Sequence, residues 1–207
     1  MKILIVSALS DEVHGLDESV LITGVGKINA TKALERELSK QLPDLVVNYG
    51  TAGKTTESLS VGDLYEVGKF VQRDMMVTEL GFKEYETPFD ATYIIENGRS
   101  DLTCGTGDSF WTPSALLPSR LPHIKSDDSV FLATGDCRWT PKNKKNFEIV
   151  DMEAYALAKV CQDHGVEFRC FKFISDGGDP DEWKENVSKG SVLFANKLKQ
   201  IREEETK

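Results

Sequence analysis

Two carboxylates in the last third of the chain have the spacing to perform acid–base chemistry at one site. Glu153 stands at the start of an apolar run with helical periodicity, and this run ends at Gly165. An apolar strand over residues 168–174 follows and delivers Ser175 and Asp176 to the loop just beyond its end. Because ligands of open parallel sheets sit outside the carboxyl ends of strands, this helix–strand unit predicts a cleft that holds both acids.

Another acidic pair follows the first strand of the chain. Residues 2–6 form a continuous apolar run of strand length, which is typical of a strand buried on both faces. Asp11 and Glu12 come shortly after it, in a loop or at the start of a helix. They either add acidic groups to the cleft or simply complement the dipole of that helix.

A glycine-rich turn at 24–30 separates a short strand over 20–23 from a helix over 32–40. Asn29 stands where a dinucleotide-binding turn would carry its third glycine, so a nicotinamide-dependent oxidoreductase is disfavoured and no cofactor is expected. The glycines instead indicate a tight turn whose backbone lies close to a neighbour or a ligand.

A small-residue segment follows the strand predicted over 45–48. It contains Thr51, Ala52 and Gly53, and in a loop its backbone amides can face an oxygen-rich ligand. The alternative is a simple turn with no role in binding.

The remaining pattern completes one α/β domain over residues 1–207. Strands are predicted within 61–71 and over 130–133, and the stretch over 72–128 is looser and rich in polar, proline and glycine residues. A final amphipathic helix is predicted over 185–201, with these residues facing inward: Val187, Val192, Leu193, Ala195, Leu198 and Ile201. The charged tail at about 202–207 is expected to fray.

Composition excludes several classes of function. Of the 207 residues 40% are hydrophobic and 29% are charged, as in ordinary globular domains, and the net charge is −9. This negative charge disfavours binding to nucleic acid or to anionic lipid. No apolar run reaches the ~18 residues of a membrane span. The four cysteines lack close paired spacing, which disfavours zinc or a disulfide framework and indicates a reducing cytoplasm.

Six segments in order resemble the purine nucleoside phosphorylase/nucleosidase superfamily, and most closely its methylthioadenosine/S-adenosylhomocysteine nucleosidases. They are SALSDEV at 7–13, GVGKINA at 24–30, NYGTAGK at 48–54, TGDCRW at 134–139, VDMEA at 150–154 and ISDGGD at 174–179. The resemblance implies a three-layer α/β/α fold with a twisted central mixed sheet. It also implies cleavage of the bond between a purine base and ribose.

Roles for individual residues follow from the same resemblance. Asp176 would protonate purine N7 as the base leaves, Glu12 would take a proton from the attacking water, and Met152 and Glu153 would hold the ribose. The remaining implied contacts to the nucleoside come from Thr51, Ala52, Gly53, Ser175 and the backbone around Trp139. The family's stacking aromatic falls at Arg138, so either Trp139 stacks on the base or Arg138 offers a flat guanidinium face or a charge.

Physical chemistry supports the two acid–base roles independently. Breaking a ribosyl C–N bond develops positive charge on the sugar and negative charge on the departing base, so a carboxylate and a carboxylic acid on opposite sides both help. A free aspartic acid has a pKa of about 3.9, so Asp176 has to be raised by burial or by the bound base to act near neutrality.

The resemblance also implies a homodimer in which one subunit's loop closes the other's pocket. Residues 73–82 resemble that loop, and Val77, Leu80 and Phe82 would line the far end of the neighbouring pocket. The alternative is that these side chains anchor the loop within their own monomer.

Two rival functions remain. Phosphorylases of this superfamily carry arginines for phosphate at positions where this chain has Glu12 and Asn48. A carboxylate activates water but repels phosphate, which favours hydrolysis. A nucleoside-binding module without catalysis would have no need for both Glu12 and Asp176. The preferred 5′ substituent stays open.

Overall fold

The computed structural model describes residues 1–90, 93–112 and 147–204. In this part of the chain nine strands form a single sheet and four α-helices accompany it. In chain order the elements are β1 Ile3–Ser7, β2 Val20–Ile22, α1 Lys27–Leu38, β3 Leu45–Lys54, β4 Leu64–Val67, β5 Lys69–Gln72, β6 Ile94–Glu96, β7 Thr103–Thr106, β8 Ile149–Asp151, α2 Ala154–His164, β9 Glu167–Asp176, α3 Pro180–Asn186 and α4 Ser191–Glu204. Short 3-10 turns occur at Asp11–Val13 and Thr78–Leu80.

Strand β3 is the centre of the sheet, because three other strands pair with it. Its first half pairs in parallel with β1 on one side, and β9 runs parallel to it on the other side along most of its length. Its last two residues, Gly53 and Lys54, pair antiparallel with β8. The sheet order is β2-β1-β3-β8-β7-β5-β6, with β9 and β4 continuing from the other edge of β3. In the described ranges, β3 therefore has no strand neighbour on the first side between Asn48 and Gly53.

Helices cover both faces of the sheet, and each face has its own core. On one face α1 buries Leu34 and Leu38 against the sheet and α2. On the other face α4 buries Phe194, Leu198 and Ile201, and the Phe194 ring stacks on Tyr49 of β3 at 4.4 Å between centroids. The predicted three-layer α/β/α arrangement around a mixed sheet is confirmed. No helix in the described ranges combines the length and apolar character needed to cross a bilayer.

Two predicted element boundaries near the cleft differ from the structure. Helix α1 begins at Lys27 rather than residue 32, because Gly26, with a φ of 93°, makes the turn and the Ala30 amide already bonds to its carbonyl. Thr51, Ala52 and Gly53 lie within β3 rather than in a loop after it. Pairing with β9 extends the strand through this segment, with an irregularity between Ala52 and Gly53.

The C-terminal helix was predicted as one element, and the structure contains two. Helix α3 begins with Pro180 at its first turn, where Asp179 accepts a hydrogen bond from the Asp181 amide, and it ends before a four-residue break. The break changes the phase of α4, so Val192 and Leu193 are 68% and 42% exposed instead of facing inward. The predicted end of α2 at His164 is confirmed, since Gly165 adopts a φ of 65° there.

Within the looser stretch over 72–128, two strands form that the sequence pattern did not indicate, β6 and β7. Strand β7 is central, since it pairs in parallel with both β5 and β8. Gly105 of β7 packs so tightly that a Cβ there would lie 2.8 Å from the Phe147 ring. The strand predicted over 130–133 lies outside the described residues.

Candidate active site

A cleft of about 750 Å³, including the part open to solvent, lies where β1, β8 and β9 end beside the free edge of β3. The described residues that line it are Ala8, Leu9, Glu12, Val25, Thr51, Ala52, Gly53, Arg73, Ser109, Phe110, Trp111, Val150, Asp151, Met152, Glu153, Asp176 and Trp183. The cleft therefore contains most of the residues singled out from the sequence.

Glu12 occupies the gap beside β3 that no described strand fills. Its oxygen Oε1 accepts hydrogen bonds from the Thr51 amide at 2.7 Å and the Thr51 hydroxyl at 2.8 Å. Oε2 accepts from the Ser7 hydroxyl at 2.8 Å and the Leu9 amide at 3.1 Å. The side chain is only 3% exposed. These four donors hold the carboxyl group in one orientation.

A buried ion pair lies behind Glu12. Lys172 of β9 donates to Asp151 at 2.8 Å, and both side chains are 1% exposed. Burial opposes both charges, but the attraction between the partners outweighs it, so the pKa of Asp151 is lowered and that of Lys172 is raised. A Cβ on Gly50 would lie 3.3 Å from both the Lys172 ammonium and Glu12 Oε1. Glycine at this position thus lets a cation approach the Glu12 carboxylate.

Met152 and Glu153 follow β8 and face the cleft from the other side of the gap. Glu153 precedes α2 and accepts a hydrogen bond from the Gly26 amide at 2.8 Å. Burial, and secondarily the charge on Asp151, raise the pKa of Glu153 to about 8. At neutral pH a carboxyl group with this pKa is mostly protonated.

Asp176 ends β9 and is 2% exposed. Oδ2 accepts from the Ser175 hydroxyl at 2.8 Å, and Oδ1 accepts from the Gly178 amide at 2.7 Å. Burial raises the pKa of Asp176 despite these two bonds, and the charge on nearby Glu182 adds to the increase. The environment therefore favours a proton on this carboxyl group.

Both acids lie next to residues of β3. Glu12 bonds to Thr51, and Asp176 Oδ1 lies 3.1 Å from where a Cβ on Gly53 would be. Thr51 and Gly53 are two residues apart on a strand, a spacing of about 7 Å. Any side chain at position 53 would press on Asp176, so a glycine there keeps the space between the acids open.

The lining residues that sequence reasoning did not assign to the site include Arg73, Phe110, Trp111 and Trp183. A signal for two of them exists, because TGDSFW at 106–111 repeats the TGD and tryptophan of TGDCRW at 134–139. Arg73 donates to the Ser109 hydroxyl at 3.2 Å and to the carbonyl oxygens of Gly107 and Ser109, which fixes the segment before Phe110. Arg138 and Trp139 lie outside the described residues.

Four other residues predicted for the site do not line the cleft. Ser175 is fully buried behind the cleft, and its hydroxyl donates a hydrogen bond to Asp176. Val77, Leu80 and Phe82 lie at or beside the 3-10 turn Thr78–Leu80, outside the cleft of their own chain, and Leu80 is 72% exposed.

The glycine turn before α1 has its backbone donors occupied by acids. The Gly26 amide donates to Glu153, and the Lys27 amide donates to Asp108 at 2.8 Å. The Lys27 ammonium pairs with Asp74 at 2.6 Å and with Asp108 at 3.6 Å. In the described ranges, no cluster of three or more histidine, cysteine or acidic side chains could hold a metal ion.

Residues 6–203 match the phosphorylase superfamily. A 5′-methylthioadenosine/S-adenosylhomocysteine nucleosidase of Haemophilus influenzae (strain PittEE) is 30% identical over 171 residues, covering 81% of this chain and 72% of that protein. The nucleosidase of the same name from Helicobacter pylori superposes with a TM-score of 0.75 at 20% identity, covering 99% of this chain and 98% of the other. A futalosine hydrolase from Helicobacter pylori superposes with a TM-score of 0.76 at 19% identity over the same shares.

Proposed function

Since this chain belongs to the phosphorylase superfamily, we propose that it is a purine nucleoside N-ribohydrolase. It would cleave the N-glycosidic bond of methylthioadenosine, S-adenosylhomocysteine or a related adenine nucleoside to the free base and a ribose derivative. The named activity of the 30% identical relative supports this substrate class. The observation that carries the proposal is the placement of Glu12 beside Thr51 and of Asp176 beside Gly53 in a single cleft.

Asp176 acts on the base. As the C–N bond breaks, electrons move onto the purine, and protonation at N7 makes the base a better leaving group. A donor needs a proton near neutrality, and burial raises the pKa of Asp176 in that direction. The Ser175 and Gly178 bonds hold the carboxyl group in place while it donates.

Glu12 acts on the water. Its four hydrogen bonds fix the plane of the carboxylate, so the direction in which it accepts a proton is set before the substrate binds. As the sugar becomes cationic, the negative charge on Glu12 also stabilises it. The water adds to the anomeric carbon as its proton passes to Glu12.

Met152 and Glu153 face the ribose. Glu153 accepts hydrogen bonds from the sugar hydroxyls, and its bond to the Gly26 amide keeps the carboxyl group pointed into the cleft. The apolar side chain of Met152 lies beside it in the lining and covers a face of the sugar. The aromatic rings of Phe110 and Trp111 are available to the flat base. The roles of Arg138 and Trp139 stay predictions.

Water rather than phosphate is the proposed acceptor of the ribosyl group. The first amides of α1 already bond to Glu153 and Asp108, so a phosphate at this helix terminus would have to displace two carboxylates. Asn48, at one of the positions where phosphorylases carry arginine, is buried and donates to the Val6 carbonyl oxygen at 3.1 Å. Both features favour hydrolysis.

A substrate panel tests the proposal directly. The purified protein is incubated with methylthioadenosine, S-adenosylhomocysteine, adenosine, inosine and AMP, and the free base is quantified with and without phosphate. We expect adenine from the thio-substituted nucleosides at a rate independent of phosphate. Release of ribose 1-phosphate only when phosphate is present would identify a phosphorylase. Binding without release of base from any substrate would identify a non-catalytic module.

We propose that the protein works as a homodimer and that it is located in the cytoplasm. We also propose that residues 1–207 form one domain. The segment around the Thr78–Leu80 turn exposes Leu80 and Phe89, at 72% and 98%, as a surface for a second copy. Three buried cysteines are free thiols, as in a reducing compartment. A monomer mass in light scattering at micromolar concentration would refute the dimer.

A further inference from the structure

Helix α3 is hydrogen-bonded to the strand end that carries the proposed acid. Asn186 Nδ2 donates to the Ser175 carbonyl oxygen at 2.8 Å. The Gly177 amide donates to the Glu182 carboxylate at 2.9 Å. These two bonds bracket Asp176, so the position of the helix is set relative to this residue.

Trp183, in the middle of α3, also connects the helix to the opposite acid. Its ring lines the cleft, and its indole Nε1 donates a hydrogen bond to Oγ1 of Thr51 at 3.1 Å. The same hydroxyl oxygen lies 2.8 Å from Oε1 of Glu12. A continuous chain of hydrogen bonds therefore runs from α3 to the group proposed to activate water.

The chemistry of the indole sets the direction of this chain. An indole N–H can only donate, whereas a hydroxyl group has one proton and two lone pairs. Because Thr51 Oγ1 accepts from Trp183, a lone pair is used on that side and the single hydroxyl proton points to Glu12. The β-branched side chain of Thr51 has few rotamers, which limits the alternatives further. Trp183 thus excludes the orientations in which the Thr51 hydroxyl accepts from another donor or donates to an acceptor other than Glu12.

We infer that Trp183 is a positioning residue for the proposed hydrolysis: its indole N–H orients the Thr51 hydroxyl, which orients Glu12 toward water. The inference rests on the proposed function. This role also explains why α3 is hydrogen-bonded near both acids. The helix bonds to the residues on either side of Asp176 and, through Thr51, connects to Glu12.

The test is a double-mutant cycle between Trp183→Phe and Thr51→Val. Phenylalanine keeps an aromatic ring at the cleft wall and loses the N–H, and valine keeps the shape of threonine and loses the hydroxyl. We expect Trp183→Phe to lower kcat about 10-fold while KM changes less than 2-fold, since one hydrogen bond that orients a catalytic group is lost. In the Thr51→Val background, the same change should have almost no further effect on kcat. In the Thr51→Ser background, which keeps the hydroxyl, Trp183→Phe should again lower kcat about 10-fold.

The controls separate this inference from its alternatives. Lys184→Gln changes an exposed side chain of the same helix and should leave kcat and KM unchanged. A Trp183→Phe variant with altered KM only, or with the same loss of kcat in the Thr51→Val background, would overturn the positioning role and leave hydrolysis intact. If the unchanged protein releases no base from any nucleoside, the proposed function fails and this inference fails with it. Thermal melts of every variant identify those that are folded.

Discussion

The surroundings of Glu12 and Asp176 differ although both are carboxyl groups buried to nearly the same degree, at 3% and 2% exposure. Glu12 receives four hydrogen bonds from described residues, and the Lys172 ammonium approaches it across Gly50. Asp176 receives two, and its charged neighbours Glu182 and Asp179 are acids that raise its pKa further after burial. One side of the cleft thus supplies four donors and a nearby positive charge, and the other supplies two donors and negative charge.

The difference shows that burial alone does not assign a role to a carboxyl group. Hydrogen-bond donors and the sign of nearby charges decide whether a buried acid suits proton acceptance or proton donation. In this fold, the donors around Glu12 include the free edge of β3, whereas Asp176 lies at the end of a paired strand. The sheet topology therefore produces the two environments.

The largest expected effect comes from replacing each acid by its amide. Asp176→Asn and Glu12→Gln should each lower kcat by about 10²–10⁴-fold, because each removes a positioned proton-transfer group. The two variants should differ in activity on a riboside whose leaving group is nitrophenolate, because this group departs without being protonated. Asp176→Asn should recover most activity on that riboside, and Glu12→Gln should not.

Stopped assays of product release with both substrate types measure the separation, and circular dichroism confirms the fold of each variant. Equal recovery by both variants would contradict the division of labour between the acids. Near-normal turnover of the natural nucleoside by either folded variant would remove that residue from the mechanism.

The next effect is on stability and concerns the positive side of the cleft. Lys172→Met leaves the Asp151 carboxylate buried without its ion-pair partner, which should lower the free energy of unfolding by about 3–5 kcal/mol. Combining it with Asp151→Asn should restore most of this loss, because the uncompensated charge is removed. Urea unfolding of Lys172→Met, Asp151→Asn and the double variant measures these free energies. A Lys172→Met variant as stable as the unchanged protein would show that the ion pair does not stabilise the fold.

Much of the fold could be predicted from the sequence because the central strands are long apolar runs. Strand β1, the strand leading to Asp176 and the helix after Glu153 were all indicated by periodicity and by glycine at the helix end. The segment 49–54 could not be, because its small residues are typical of a turn. Only pairing with β9, which a local pattern does not contain, makes it a strand.

The site was partly predictable for a similar reason. The acids were indicated by their positions after strands, and the family resemblance gave their roles. The orientation of Glu12 against Thr51 and the presence of Trp183 in the cleft depend on the edge of β3 and on the break between α3 and α4. Both are tertiary features that a local sequence pattern does not contain, and the helix predicted over 185–201 begins after Trp183.

The smallest effect concerns the negative side of the cleft and the pH dependence of the reaction. The charge on Glu182 adds to burial in raising the pKa of Asp176, and Asp176 must carry a proton to act as an acid. Activity is therefore lost as pH rises through that pKa. Glu182→Gln removes the charge, and the glutamine side-chain oxygen can still accept from the Gly177 amide, so the pKa of Asp176 should fall.

The basic limb of the kcat/KM–pH profile should consequently move to lower pH by a few tenths of a unit, with little change at its plateau. Glu185→Gln, an exposed change on the same helix, provides the matched control and should leave the limb in place. A basic limb that stays fixed or moves upward in Glu182→Gln would mean that another group sets it. The charge on Glu182 would then not raise the pKa of Asp176. The contrast between the surroundings of Asp176 and those of Glu12 would lose its negative side.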